Sequence, residues 1–315
     1  MKQLDRGWDW ANRGTSHVDF SRDETIPLET GRFLGHGVNG LVHETDCDGT
    51  KLAWKKIYCR NRITPQHRKE IEIIKKLNHR HIIELVGTYT KGPHLGLLLW
   101  PVAICDLATL MEDVDYLKAE SPYRASLFSH VDADILRSRC RALGYLDKLQ
   151  HARARLNTCP PCIAAAIRYL HDHNIKHKDL KPSNILLFPY DGLRITDFGT
   201  SSDVSGLDSS VTTGDERGTP KYFAPEVADY KPSGRAADVF SLGCLFYEIV
   251  MIAHTTHNLI ELKQMRPHHD RSFQANLHEI MAGFRTIDCG ENLELQHFLC
   301  LIPAMLEVEV NMRPR

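Results

Sequence analysis

The chain has 315 residues, with 39 lysines and arginines against 40 aspartates and glutamates, a formal net charge of −1. That balance excludes a globally basic nucleic-acid binder and an acidic disordered chain. With 42% hydrophobic and 25% charged residues the composition is that of a globular protein, and about 150 residues per domain allows two domains or lobes.

Residues 1–27 are polar, with Trp8, Trp10 and Phe20 among charges, and read as an extended N-terminal segment. From Leu28 the chain changes to short alternating runs: Arg32–Gly35, Leu41–His43 and Lys51–Trp54 predict antiparallel strands. Pro65 opens a helical pattern in which Ile71, Ile74 and Leu77 share one face. Ile82–Val86 and Leu95–Leu99 are two further strands, the second almost continuously apolar and therefore buried. Residues 28–100 thus make a small lobe of five antiparallel strands around one helix. Beyond Pro101 the pattern is helical: Asp106–Leu117 and Ile163–His171 are amphipathic, and Ala237–Met251 is apolar enough for a central buried helix. Between them, residues 118–158 form an insertion carrying Arg137, Arg139, Arg141, Lys148, Arg153 and Arg155. A solvated helical face is the reading its charge favours, with a docking surface as the alternative. The fold class expected is α+β, a small sheet lobe followed by a larger helical one.

No run reaches the roughly 20 apolar residues of a membrane span, the best being Cys244–Ala253 with Glu248 inside it. The first residues lack the apolar centre of a secretory signal, and nine scattered cysteines suit free thiols in a reducing compartment. An intracellular protein is expected, cytoplasmic or nuclear, without a membrane span or a nucleic-acid partner.

Gly35-His36-Gly37-Val38-Asn39-Gly40-Leu41-Val42 fits G-x-G-x-x-G-x-V between two predicted strands. Glycines there let backbone N–H groups approach phosphates; a plain hairpin turn is the alternative. Since the loop leads into a strand and not a helix, it is not a dinucleotide-fold loop, and it lacks the G-K-[ST] of a P-loop. Ala53-Trp54-Lys55 puts a lysine on the next strand, and Glu70 follows fifteen residues later in the helix. Strand lysine and helix glutamate together suit phosphate binding; each alone reads as a surface charge. Further on, His177-Lys178-Asp179-Leu180-Lys181-Pro182-Ser183-Asn184 precedes Asp197-Phe198-Gly199 by thirteen residues. Two carboxylates and an amide offer a base and the hard oxygens that Mg²⁺ prefers.

In this segment the chain resembles the eukaryotic protein kinase family, whose pattern is H-R-D-L-x-x-x-N … D-F-G, and Lys181-Pro182 is similar to its Ser/Thr branch. Gly218-Thr219-Pro220, Ala224-Pro225-Glu226, Asp238 and Arg313 extend the resemblance over residues 28–315. It implies a two-lobed fold, ATP and Mg²⁺ as cofactors, and proteins with Ser/Thr acceptors as substrates. It also implies roles. Gly35, His36, Gly37, Val38, Gly40 and Val42 would cover the nucleotide, with Ala53, Val102 and Leu186 around adenine and Leu99 as gatekeeper. Lys55, held by Glu70, would contact the α- and β-phosphates. Asp179 would take or orient the acceptor hydroxyl's proton, Lys181 would meet the γ-phosphate, and Asn184 and Asp197 would hold Mg²⁺. Leu85, Ile74, Phe198 and His177 would form a column anchored by Asp238.

Two departures stand out. Lys178 replaces the family arginine, which lowers the expected grip on a phosphorylated loop carrying Ser201, Ser202, Ser205, Ser209, Ser210 and Thr212. The chain ends at Arg315, where the family continues into a further helix, so a fragment or a shortened lobe is expected. Two other functions stay open: a pseudokinase or scaffold that binds nucleotide without efficient transfer, and a small-molecule phosphotransferase. Cys159-Pro-Pro-Cys162 has half of a zinc motif, but its prolines suit a helix N-terminus.

Overall fold

In a computed structural model, residues 8–37, 40–59, 63–118, 132–190, 192–204, 218–267 and 269–314 are described. Val38, Ser205, Ser209, Ser210 and Thr212 lie outside them, as do residues 119–131 of the insertion. Ser201 and Ser202 are described and buried, the Ser201 hydroxyl donating to the His177 carbonyl (3.0 Å), and so are not open to phosphorylation. The chain divides into two compact units, Met1–Ala103 with Asp197–Gly199, and Ile104–Thr196 with Thr200–Arg315.

The first unit is built on β1 (His17–Phe20), β2 (Phe33–Gly37), β3 (Gly40–Cys47), β4 (Thr50–Tyr58), α1 (Pro65–Lys76), β5 (Glu84–Lys91) and β6 (His94–Trp100). Its six strands run in the order β1-β5-β6-β4-β3-β2. The five strands expected from the sequence pair antiparallel, but β1 adds to β5 in parallel, His17 opposite Thr88 and Phe20 opposite Lys91. The sheet is therefore mixed, and the segment before Leu28 is part of it. Apolar contact explains the correction: Trp10, Val18 and Phe20 are buried in one core with Leu52, Trp54, Tyr89 and Leu98. The indole N–H of Trp10 donates to the Ser16 carbonyl (3.1 Å) and that of Trp54 to the Tyr89 hydroxyl (3.0 Å), so both buried donors are satisfied. Gly87 makes room for this layer, since a Cβ there would lie 2.3 Å from Trp10 Cδ1. Gly87→Ala is expected to lower stability by about 1–3 kcal/mol through overpacking, read from the denaturant midpoint; an unchanged midpoint would mean Trp10 is not held in this layer.

Helix α1 starts in a capping box, the Thr64 hydroxyl accepting from His67 N–H and the Thr64 N–H donating to His67 Nδ1. Its buried stripe is Glu70, Ile73, Ile74 and Leu77, an i, i+3, i+4, i+7 series that begins on an acid and leaves Ile71 half-buried. Of the face expected from the sequence, Ile74 and Leu77 lie on the buried stripe, while Glu70 and Ile73 take the place expected for Ile71.

The second unit is mostly helical: α2 (Leu107–Leu117), α3 (Ala133–Leu143), α4 (Leu149–Asn157), α5 (Cys159–Asp172), α6 (Pro225–Ala228), α7 (Arg235–His254), α8 (Leu259–Gln264), α9 (Leu277–Phe284) and α10 (Leu293–Met305). Short strands β7 (Cys105–Asp106), β9 (Ile185–Leu187) and β10 (Leu193–Ile195) form one ribbon, and β8 (Ile175–Lys176) and β11 (Ser202–Asp203) another. Helix α7 is apolar on all sides and contacts α2, α4, α5, α8 and α10. It has the length and composition of a membrane span, yet 83% of that window is buried inside the protein, as in a core helix.

The basic insertion is not a uniformly solvated face. Arg139 Nε donates to the buried Asp113 carboxylate (2.8 Å), and Arg155, 3% exposed, donates to the Gly192 carbonyl and the Thr158 hydroxyl (2.8 Å each). Arg137, Arg141 and Lys148 are exposed. Cys159 and its prolines open α5.

Candidate active site

In the first unit, the register of β3 and β4 sets Val42 opposite Lys55, and that of β2 and β3 sets Gly35 opposite Val42. Gly40 has to be glycine: a Cβ there would sit 1.9 Å from the Lys56 carbonyl oxygen. Strand alternation turns Ala53, Lys55 and Ile57 to one side of β4 and Leu52 and Trp54 to the other. Ala53 pairs with Leu99 on β6, which is 7% exposed, and Val102 is half-buried beyond that strand. His36 is exposed near the tip of the glycine turn.

Lys55 is 8% exposed, and its ammonium donates to Glu70 Oε1 (3.0 Å) and Asp197 Oδ1 (3.2 Å). Burial alone would lower its pKa, but the two carboxylates more than offset that and hold it above the ordinary lysine value. One cation and two anions leave this cluster net negative, so it can accept a metal cation beside a polyphosphate. Asp197 keeps its second oxygen for such a ligand and has a left-handed backbone, φ 66°.

The second unit holds the other group of residues. The Lys181 ammonium donates to Asp179 Oδ2 (2.7 Å) and to the Thr219 hydroxyl (2.8 Å), while Thr219 N–H (2.8 Å) and its hydroxyl (2.7 Å) donate to Asp179 Oδ1. Asn184 Nδ2 donates to the Asp179 carbonyl (2.7 Å), which leaves its amide oxygen as the atom for a hard cation. Burial raises the Asp179 pKa, but the hydrogen bonds from Lys181 and Thr219 outweigh it and keep the carboxyl below the ordinary aspartate value. It is thus ionised throughout the neutral range.

Asp238 on α7 shapes this loop from beneath. It is 2% exposed and accepts from the backbone N–H groups of His177 (2.9 Å) and Lys178 (2.8 Å), with the His171 imidazole 2.9 Å away. Those bonds hold Lys178 at φ 69°, a conformation costly for a side chain with a Cβ. His171 went unread in the sequence, since it lies on α5, 67 residues from its partner, with no motif of its own. Leu186 sits half-buried on β9, opposite Arg194 and Asp106. At the far end, Arg313 grips Glu226 with both nitrogens (2.7 and 2.8 Å).

Known proteins are similar to this chain over much of its length. The chain is 28% identical to mitogen-activated protein kinase kinase kinase 5 of Homo sapiens over 222 residues, 69% of this chain and 14% of that protein. It is 26% identical to the serine/threonine-protein kinase PLK4 of Drosophila persimilis over 82% of this chain and 31% of that one. With the G2-specific protein kinase fin1 of Schizosaccharomyces pombe it shares 26% over 89% of this chain and 36% of that one. It thus spans between a seventh and about a third of the length of these relatives. The protein kinase domain model matches residues 28–315, and this chain belongs to that family.

Proposed function

We infer that the chain is a protein serine/threonine kinase, transferring the γ-phosphoryl group of ATP to Ser or Thr hydroxyls of proteins. The observation carrying this reading is that Lys55, Glu70, Asp179, Lys181, Asn184 and Asp197 are all present, with their charges engaged within each unit as above. A pseudokinase normally lacks one of these groups, so nothing here favours that alternative.

Phosphoryl transfer has a loose, charge-rich transition state, and catalysis is mainly positioning and electrostatic stabilisation. Lys55, fixed by Glu70, would orient the α- and β-phosphates beneath Gly35, Gly37 and Gly40. Bound Mg²⁺ supplies neutralisation of the phosphate oxygens. Asn184 and Asp197 offer it an amide and a carboxylate oxygen, the donor set it prefers. Asp179 would orient the acceptor hydroxyl and take its proton late, as the new O–P bond forms and ADP leaves. Its low pKa makes it a weak base, which suits a late proton transfer. Lys181 would meet the γ-phosphate, and its bond to Thr219, with Thr219 on Asp179, is the arrangement expected for alcohol acceptors.

The test is incubation with γ-labelled ATP, Mg²⁺ and a generic protein substrate beside an Asp197→Ala control. Phosphoserine and phosphothreonine are the expected products, with label lost in the control. Mainly phosphotyrosine on acid hydrolysis, or equal labelling by the control, would refute the assignment.

A further inference from the structure

Next to Thr219 the second unit contains a cavity of about 450 Å³ that the roles above do not use. Its walls carry four cations, Lys221, Lys263, Arg266 and Arg271. Two acids, Glu248 and Asp270, also reach it, but both are engaged. Glu248 accepts from the Tyr222 hydroxyl (2.7 Å) and pairs with the Lys221 ammonium, while Asp270 accepts from Ser272 N–H (2.9 Å) and the Gln274 amide (3.3 Å). Among the described residues no carboxylate pairs with Lys263, Arg266 or Arg271.

Arg266 is the informative one. It is 4% exposed, its guanidinium lies 4.7 Å from the centre of the Phe273 ring, and Nε donates to the Arg271 carbonyl (3.0 Å). Its Nη1 is buried with no hydrogen-bond partner. A guanidinium is charged at every accessible pH, so a buried unpaired N–H on it is a standing deficit. A fixed planar fork beside two exposed cations is what a carboxylate or a phosphate binds best. The place matters as much as the charge. Lys221 is two residues from Thr219, so their Cα atoms lie within about 7–8 Å, and Thr219 is bonded to Asp179.

We propose that this cavity is a substrate-recognition site for an oxyanion-bearing side chain, glutamate, aspartate or phosphoserine, within a few residues of the acceptor. Arg266 supplies the fork, and Lys263 and Arg271 the surrounding positive field. This rests on the kinase reading for its purpose but not for its measurement.

The experiment measures binding by fluorescence anisotropy, with the full chain and no ATP. Labelled peptides carry one acceptor serine and a single phosphoserine, glutamate or glutamine stepped from one to five residues on either side. At one position an anionic peptide is expected to bind about tenfold or more tightly than its glutamine counterpart. Arg266→Gln, and separately the exposed pair Lys263→Ala/Arg271→Ala, should bring that ratio close to one; the second variant covers misfolding of the first. The phosphoserine and glutamate arms distinguish phosphate from carboxylate, and competition by inorganic phosphate identifies the anion as the group bound. Equal affinity for all three peptides at every position, or a preference that survives both variants, would overturn the proposal. Anion-dependent binding in a chain that fails to transfer phosphate upholds the cavity and removes the kinase reading; transfer without anion preference does the reverse.

Discussion

Lys55→Met is expected to reduce phosphoryl transfer by about 10²–10³-fold or more, the loss typical of removing one preorganised charge from a charge-rich transition state. Methionine keeps the length and apolar bulk of the lysine stem, so the packing between β4 and α1 survives. What changes is electrostatic, because Glu70 and Asp197 are left without their shared cation. The repulsion is relieved in the double variant Lys55→Met/Glu70→Gln, which separates missing charge from misfolding. Near-UV circular dichroism reports the fold and single-turnover kinetics with saturating ATP reports the chemistry. Undiminished turnover in the folded single variant would remove Lys55 from the mechanism.

Arg313→Met is the change with the largest expected effect on stability. The Arg313 side chain is fully buried, forks onto Glu226, and also donates to the carbonyls of Ala236 (3.0 Å), Glu307 (2.7 Å) and Val308 (3.1 Å). Methionine would leave a 7% exposed carboxylate without its cation and three carbonyls without a donor. Breaking one side of a buried pair costs about 3–5 kcal/mol. In a unit of this size that is a fall of about 6–20 °C in Tm, visible by calorimetry. Arg313→Lys should recover little, since one ammonium cannot reproduce the fork. A midpoint within a degree or two of the parent would show that the ion pair is solvated.

The elements easiest to read in the sequence were those where one period runs long. Leu95–Leu99, the α1 pattern after Pro65 and the apolar run of α7 each had a sequence signal that packing reinforced. Strand β1 escaped because its alternation, Val18 and Phe20 inward, Asp19 outward, covers only four residues among charges. Its partner is a tryptophan pocket that exists only once β5 is in place. Arg139 and Arg155 were misjudged for a related reason. A basic residue reads as solvated unless its acceptor is known, and the Asp113 carboxylate and Gly192 carbonyl lie 26 and 37 residues away. Within the candidate site, Asp179, Lys181 and Asn184 are neighbours along the chain and could be found by spacing. The support from Asp238 and Thr219 comes from 60 and 40 residues further on and was reachable only through resemblance. Arg266 had no local signature at all; only its burial and its unpaired Nη1 mark it.

The parallel strand β1 also settles how the sheet ends. An outer strand with a free row of N–H and C=O groups is a template for another chain, the first step of edge-to-edge aggregation. Here β5, eight residues long and carrying Val86, Tyr89 and two threonines, would be such a template. The match to the family starts at residue 28, but the chain has already laid His17–Phe20 along that row. The new outer strand is half as long and presents Asp19 to solvent, a poor surface for further pairing. Residues ahead of the matched domain thereby cover this edge of the sheet, and a domain cut at residue 28 would lay the outer row of β5 bare.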